Sequence, residues 1–141
     1  MNKLQTLSAP LGRVLLAMIF IMSGLNKIGT YAGTQGYMDA MGVPGAILPL
    51  VIALEVLGGF ALVVGFQARL AALGLAGFSV LSALLFHANF ADQMQMMMFM
   101  KNITIAGGFL MIVAHGAGAY SLDNRLKGND VSQLNSRVQQ A

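Results

Sequence analysis

Between Gly45 and Phe66 the chain reads GAILPLVIALEVLGGFALVVGF, an apolar run with a single carboxylate, Glu55, near its middle. A transmembrane helix needs about 20 mostly apolar residues to cover about 30 Å of hydrocarbon, so this run can cross a bilayer with Glu55 near mid-depth. An unpaired charge there costs about 3 kcal/mol or more. Glu55 must therefore be neutral, paired or facing water, and each alternative calls for further polar groups inside the fold.

The rest of the chain agrees. Only 9% of its 141 residues are charged and 57% are hydrophobic, against about 25% charged in an ordinary soluble domain. Little polar sequence separates the apolar runs, which leaves no room for a soluble catalytic domain. The expected fold is all-α, a polytopic membrane protein built as an antiparallel bundle of four transmembrane helices. The absence of cysteine excludes disulfides, thiol exchange and Cys-ligated iron–sulfur or zinc centres. The formal net charge of +3 is scattered without interleaved aromatics, a pattern of membrane topology rather than nucleic-acid binding.

Three further spans are predicted, over Leu11–Gly29, Arg69–Phe90, and from Met96 or Lys101 to His115. Ser8 followed by Pro10 reads as the start of the first helix, which is read as retained rather than as a signal peptide because Arg13 and Lys27 bracket its apolar core. At 100° per residue Arg13, Ala17, Phe20, Gly24 and Lys27 share one face of it, opposite Leu15, Met18 and Met22. The second helix presents Leu48, Ile52, Glu55, Gly59, Leu62 and Phe66, the third Ala72, Ala76, Ser79, Ala83 and His87. On the fourth the stripe is Lys101, Thr104, Gly108, Ile112 and His115. Residues Thr30 to Pro44 suit a surface connection anchored by Tyr31 and Tyr37, with a short amphipathic helix over Gln35–Met41. Ser121–Ala141 reads as a polar tail without apolar periodicity, mobile from Ser132 onward. The expected organisation is an N-terminal segment 1–10, a four-helix domain 11–120 and a tail 121–141.

Four crossings place both termini on the side of the Gln67–Arg69 turn. That side carries Lys3, Arg13, Arg69, Arg125, Lys127 and Arg137, and the other only Lys27 and Lys101, so the positive-inside rule makes both termini cytoplasmic. A weak internal echo, Glu55-Val-Leu-Gly-Gly-Phe against Thr104-Ile-Ala-Gly-Gly-Phe, fits either two like hairpins or chance.

The outer end then gathers Asn26, Lys27, His87, Asn89, Lys101 and Asn102, with Glu55 about 15 Å below it. Lysine stems snorkel several Å, so Lys27 or Lys101 can approach Glu55, as can Arg13 from the other end. Two readings of Glu55 stand side by side: a structural ion pair that fixes helix register, and a ligand, proton or substrate role, the default for an intramembrane acid. Met94, Met96, Met97, Met98 and Met100 offer soft thioethers for Cu(I) but lack a regular repeat or Cys/His partners. They read as flexible apolar filler, and no metal is expected.

Arg13 followed by Phe20-Ile-Met-Ser-Gly-Leu-Asn-Lys-Ile28, Gly42-Val-Pro44, Leu54-Glu55 with Gly58-Gly59, Arg69, Phe86-His87, Met100-Lys-Asn102, Gly107-Gly108 and Gly116-Ala-Gly-Ala-Tyr-Ser-Leu-Asp123 together resemble the DoxX family. The likeness covers about Leu11 to Asp123 and is greatest to bacterial inner-membrane members. It implies a small four-helix membrane protein in a redox or quinone-related neighbourhood, because the family takes its name from a subunit of a thiosulfate:quinone oxidoreductase. Most members have no established activity.

Lacking cysteine, the chain would need a quinone, a bound cofactor or a partner to take part in electron transfer. The leading expectation is a membrane subunit whose polar-lined interior holds a quinone-like or other small amphiphilic ligand. Glu55 would exchange the proton; Phe20, Phe60 and Phe86 would wall the ring; Lys27, His87 or Lys101 would bond its oxygens, with Asn102 and Arg13 also in the ligand-binding set. Two alternatives remain: a non-enzymatic scaffold docking a partner through the Tyr31–Met41 loop or the Met-rich segment, and a small-solute or proton-coupled transporter, which would need oligomerisation.

Overall fold

The computed structural model describes residues 3–139, with six α-helices: α1 (Lys3–Gly29), α2 (Tyr31–Ala40), α3 (Leu48–Val64), α4 (Ala68–Phe86), α5 (Gln93–His115) and α6 (Leu122–Gln139). Four stretches are long and apolar enough to span a membrane, Thr6–Gly29, Gly45–Val64, Ala68–Phe86 and Gln93–His115. The chain is an all-α polytopic membrane protein, an antiparallel four-span bundle.

Local chemistry sets the boundaries. A 3₁₀ turn, Gly45–Ile47, follows Pro44 and leads into α3, which stops where Gly65 takes a left-handed conformation (φ 70°). Glycine carries no Cβ penalty there, and Gln67 (φ 42°) completes the reversal into α4. α5 begins at Gln93 because Asp92 caps it, its Oδ1 accepting from the backbone N–H of Met94 at 2.8 Å and Gln95 at 3.4 Å. That start lies ahead of the expected Met96 or Lys101.

Other boundaries also differ from expectation. α1 begins at Lys3, with Pro10 inside it rather than at its start; proline removes one backbone donor, but its fixed φ remains helical. α4 ends at Phe86 instead of Phe90, with His87 as its C-cap. The connection after α1 is helical from Tyr31, earlier than Gln35. The polar tail without apolar periodicity is the helix α6, running to Gln139; Ser121 Oγ accepts from Asn124 N at 3.2 Å and so caps its first turn. Of the expected mobile stretch, residues 140–141 lie outside the described residues.

The spans pack most closely in two pairs, α1 with α3 and α4 with α5; α3 meets α4 less extensively, and α1 meets α5 less again. Glycines permit the α1/α3 approach. A Cβ on Gly24 would lie 2.6 Å from Val56 Cγ2, and one on Gly59 2.6 Å from Ile21 Cγ1, so this seam accepts only hydrogen at both positions. Between the pairs lies a core of Ala17, Phe20, Leu62, Ala72, Leu75, Ala76, Ala106 and Phe109. Phe20 meets the rings of Phe109 at 5.3 Å and Phe78 at 6.3 Å.

The stripes expected on α1 and α4 are the buried faces, while Leu15, Met18 and Met22 point outward. Phe66, expected on the stripe of the second span, lies beyond the end of α3 and is exposed. On α5 the expected stripe is rotated: Lys101, Thr104 and His115 are exposed, and Ala106, Phe109 and Ile112 face inward. Thr104 can face outward because its hydroxyl bonds the Met100 carbonyl one turn back, at 2.8 Å.

Candidate functional site

Glu55 is 2% exposed and points into the bundle. Lys27 answers it directly, with Nζ 3.0 Å from both carboxylate oxygens. Lys27 Nζ also donates to Ser23 Oγ at 2.6 Å, and that hydroxyl donates to Glu55 Oε1 at 3.2 Å. Ser23 and Lys27 sit one turn apart on α1, and the glycine seam brings that turn beside Glu55. Of the three expected partners it is Lys27, not Lys101 or Arg13, that pairs with the acid, in the only ion pair among the described residues.

Arg13 lies at the other end of α1. Its guanidinium donates to the carbonyls of Ala117 and, at 2.8 Å, Tyr120, with Val63 O at 3.5 Å. It ties the α5–α6 connection to the end of α3, away from the cavity beside Glu55, so the structure does not bring it together with the other expected site residues. Phe60 also leaves that set. It is 51% exposed on the lipid-facing side of α3, because turning Gly59 and Glu55 inward turns the next residue out.

The remaining expected residues share one cavity of about 430 Å³ toward the α2 end of the bundle, where Phe20, Lys27, Glu55, Phe86, His87, Lys101 and Asn102 all contribute to the wall. Their free chemistry differs. Lys27 spends its donors on Glu55 and Ser23, so it positions the carboxylate. Asn102 donates one amide hydrogen to the Met98 carbonyl at 3.0 Å. His87 Nδ1 lies 2.8 Å from Gln95 Oε1; an amide oxygen only accepts, so that nitrogen carries the proton and Nε2 is left as an acceptor. Lys101 brings a cation with no carboxylate within ion-pair distance among the described residues.

Among the wall residues outside the expected set are Ser23, Tyr37 and Phe78. Tyr37 on α2 stacks on Phe86 at 5.5 Å with 25° between the rings, roofing the cavity. α2 is held to the head of α3, where Asp39 Oδ1 accepts from Gly45 N at 2.7 Å and Gln35 Nε2 donates to Gly45 O at 3.2 Å. Tyr37 had been read only as a headgroup anchor; that its ring meets a helix nearly fifty positions away is a tertiary fact with no local signal. Ser23 was legible as a hydroxyl one turn before Lys27.

Four apolar spans closed around a Lys–Glu pair, with a mainly apolar cavity beside it, define a small polytopic membrane protein that keeps its polar chemistry inside. Residues 9–88 match the DoxX family model. The chain is 53% identical over 126 residues to the inner membrane protein YqjF of Escherichia coli K12, covering 89% of this chain and 97% of that protein. It is 34% identical over 122 residues to the inner membrane protein YphA of the same organism, covering 82% and 87%. No solved structure matches. The chain belongs to the DoxX family and is an integral, multi-pass inner-membrane protein.

Proposed function

We propose that this protein is a redox-associated membrane subunit that binds a quinone-like amphiphile beside Glu55. The observation that carries the reading is the cavity itself: about 430 Å³, aromatic on its flanks at Phe20, Phe78 and Phe86, and polar at Lys101, Asn102, His87 and Glu55. Apolar walls with a few convergent polar groups are the usual make-up of a small-molecule site. A flat ring with oxygens at its edge fits these walls, with Lys101 and Asn102 donating to one oxygen and His87 Nε2 accepting from a hydroxyl. A quinone, when bound, supplies a carrier of two electrons and two protons. Glu55 holds or releases a proton at its carboxylate, and Lys27 and Ser23 keep that carboxylate in place. The chain has no cysteine, so electrons would pass through a bound cofactor or a partner rather than a thiol relay. The basic excess on the face of both termini supports a cytoplasmic placement of that face, with the cavity on the periplasmic half and the four-span unit over 11–120.

A scaffold role is the second reading, and the Lys27–Glu55 pair favours it, since a neutralised pair needs no ligand. One experiment separates the two. The protein, purified in mild detergent, is photolabelled with a short-chain azidoquinone, with and without excess unlabelled quinone, and labelled peptides are mapped. Displaceable labelling on α4 and α5 near Phe86 and Asn102, lost in Lys101→Gln, is expected. Labelling that excess quinone does not displace would leave the scaffold.

A further inference from the structure

A second cavity, of about 460 Å³, lies at the opposite end of the bundle, beneath the connection between α5 and α6. We infer that it is a phosphate-binding site for the headgroup of an anionic phospholipid, with Arg69, Lys127 and His115 as its cationic and ring-nitrogen ligands. This inference is independent of any ligand beside Glu55.

Three observations carry it. First, the charges in the cavity are not balanced locally. Its single acid, Asp123, is spent on the first amides of α4, accepting from Gln67 N at 2.6 Å and Ala68 N at 2.9 Å. Neither Arg69 nor Lys127 has a carboxylate within ion-pair distance among the described residues. Arg69 reaches only the Ala114 carbonyl, at 3.4 Å, through one Nη, which leaves most of its fork for a bidentate oxyanion.

Second, the connection is shaped to leave room. Gly116 (φ 81°) and Gly118 (φ 82°) both adopt backbone conformations that favour glycine. A Cβ on Gly116 would stand 3.4 Å from Arg69 Nε, against the guanidinium. His115 Nδ1 lies 3.0 Å from the Met111 carbonyl and donates to it, which leaves Nε2 as the ring nitrogen free for a ligand, suited to accept from a hydroxyl of a glycerol headgroup.

Third, the depth and the rim suit an amphiphile. The cavity opens where the span Ala68–Phe86 starts and the span Gln93–His115 ends, the level of the headgroups. Leu70, 64% exposed, stands on the same wall and offers an apolar surface for an acyl chain. Anionic lipid enriched at a basic membrane face supplies such a headgroup.

The test uses the full chain in nanodiscs of phosphatidylcholine, with or without phosphatidylglycerol, and counts retained lipid by native mass spectrometry. The wild type is expected to retain phosphatidylglycerol, with about a tenfold loss of affinity for Arg69→Gln and for Lys127→Gln, and an intermediate loss for Arg69→Lys, which keeps the charge without the fork. Lys3→Gln and Arg125→Gln, cations of the same face outside the cavity, should change retention by less than about twofold. In phosphatidylcholine nanodiscs, inorganic phosphate is added and the thermal midpoint followed. A rise abolished by Lys127→Gln would keep the phosphate chemistry but assign a soluble ligand. Equal losses in all four Gln variants, or neither lipid retention nor a phosphate response in the wild type, would overturn the site.

Discussion

Replacing Lys27 by methionine strands a carboxylate that is 2% exposed, whereas replacing Glu55 by glutamine leaves behind a lysine whose side chain is 23% exposed. The two losses should therefore be unequal. At 3.0 Å and an effective dielectric constant of about 20, the pair attracts by about 5 kcal/mol before desolvation is subtracted. Removing one partner from a buried pair costs about 3–5 kcal/mol, and the partial exposure of Lys27 places Lys27→Met near the lower end, about 3 kcal/mol. Glu55→Gln keeps the shape and the Ser23 hydrogen bond, and the freed lysine can turn toward the outer surface, so about 1 kcal/mol is expected. The double variant buries no lone charge and should cost about 2 kcal/mol, less than the sum of about 4, a coupling of about 2 kcal/mol between neighbours. Unfolding in detergent micelles by titration with sodium dodecyl sulfate, followed by circular dichroism, measures all four corners of the cycle. Equal losses for the two single variants, or additivity within about 0.5 kcal/mol, would refute the assignment of Glu55 as a desolvated anion held by Lys27.

Three further outcomes follow from the geometry. Asp123→Ala removes a charged cap from two amides at the head of α4 and should lower stability by about 1–2 kcal/mol, measured by the same titration; Asp123→Asn should recover part of the loss. Phe109→Ala empties a fully buried ring position and should cost about 3 kcal/mol, while Phe60→Ala on the lipid face should stay within about 0.5 kcal/mol; similar costs would mean that α3 and α5 are rotated. Because the chain has no cysteine, Gly33→Cys and Asp130→Cys report orientation directly. An impermeant maleimide on intact cells should label the first and spare the second, and the reverse would invert the topology.

The faces of α1 and α4 were readable because each carries one run of small or polar residues at helical spacing, and only the interior accepts such a face. α5 was misread for the complementary reason. Its glycines and Thr104 resemble a packing seam, yet Thr104 satisfies itself along its own helix, and the Phe109 side chain takes the interior against Phe20. The Lys27–Glu55 contact was legible only as a possibility, since the rise along the helices left about 15 Å to cover. The structure shortens that distance: Gly24 packs level with Glu55, a Cβ there lying 3.2 Å from Glu55 Cβ, so Lys27 starts only about 4.5 Å of helix rise above the carboxylate, a property of two helices together. The caps at Asp92 and Ser121 are local; the polar sequence after Ser121 suggests loop, whereas Asp92 opens a Met-rich apolar stretch whose helix start the sequence leaves open between several positions.

The two helix pairs are joined unevenly, and this decides where a ligand can enter. The hydrogen bonds that run between α1/α3 and α4/α5, or from either pair to the α5–α6 connection and α6, lie at the end of the bundle bearing both termini: Arg13 to Ala117 and Tyr120, Asp123 to Gln67 and Ala68, and Asp123 N to Gly65 O. At the other end, among the described residues, Lys27 bonds Glu55 inside the α1/α3 pair, Asp39 bonds Gly45 between α2 and the turn that opens α3, and His87 bonds Gln95 inside the α4/α5 pair. There the pairs meet through apolar contact and the Tyr37–Phe86 stack. An aromatic pair contributes about 1 kcal/mol, less than the charge-assisted bonds at the clasped end, at about 1.5–3 kcal/mol each. Opening between the pairs therefore costs least at the roofed end, and the cavity beside Glu55 lies there. For the ligand proposed above, entry at this end would part the Tyr37–Phe86 stack and the apolar contacts around it and would leave the polar clasp at the other end in place.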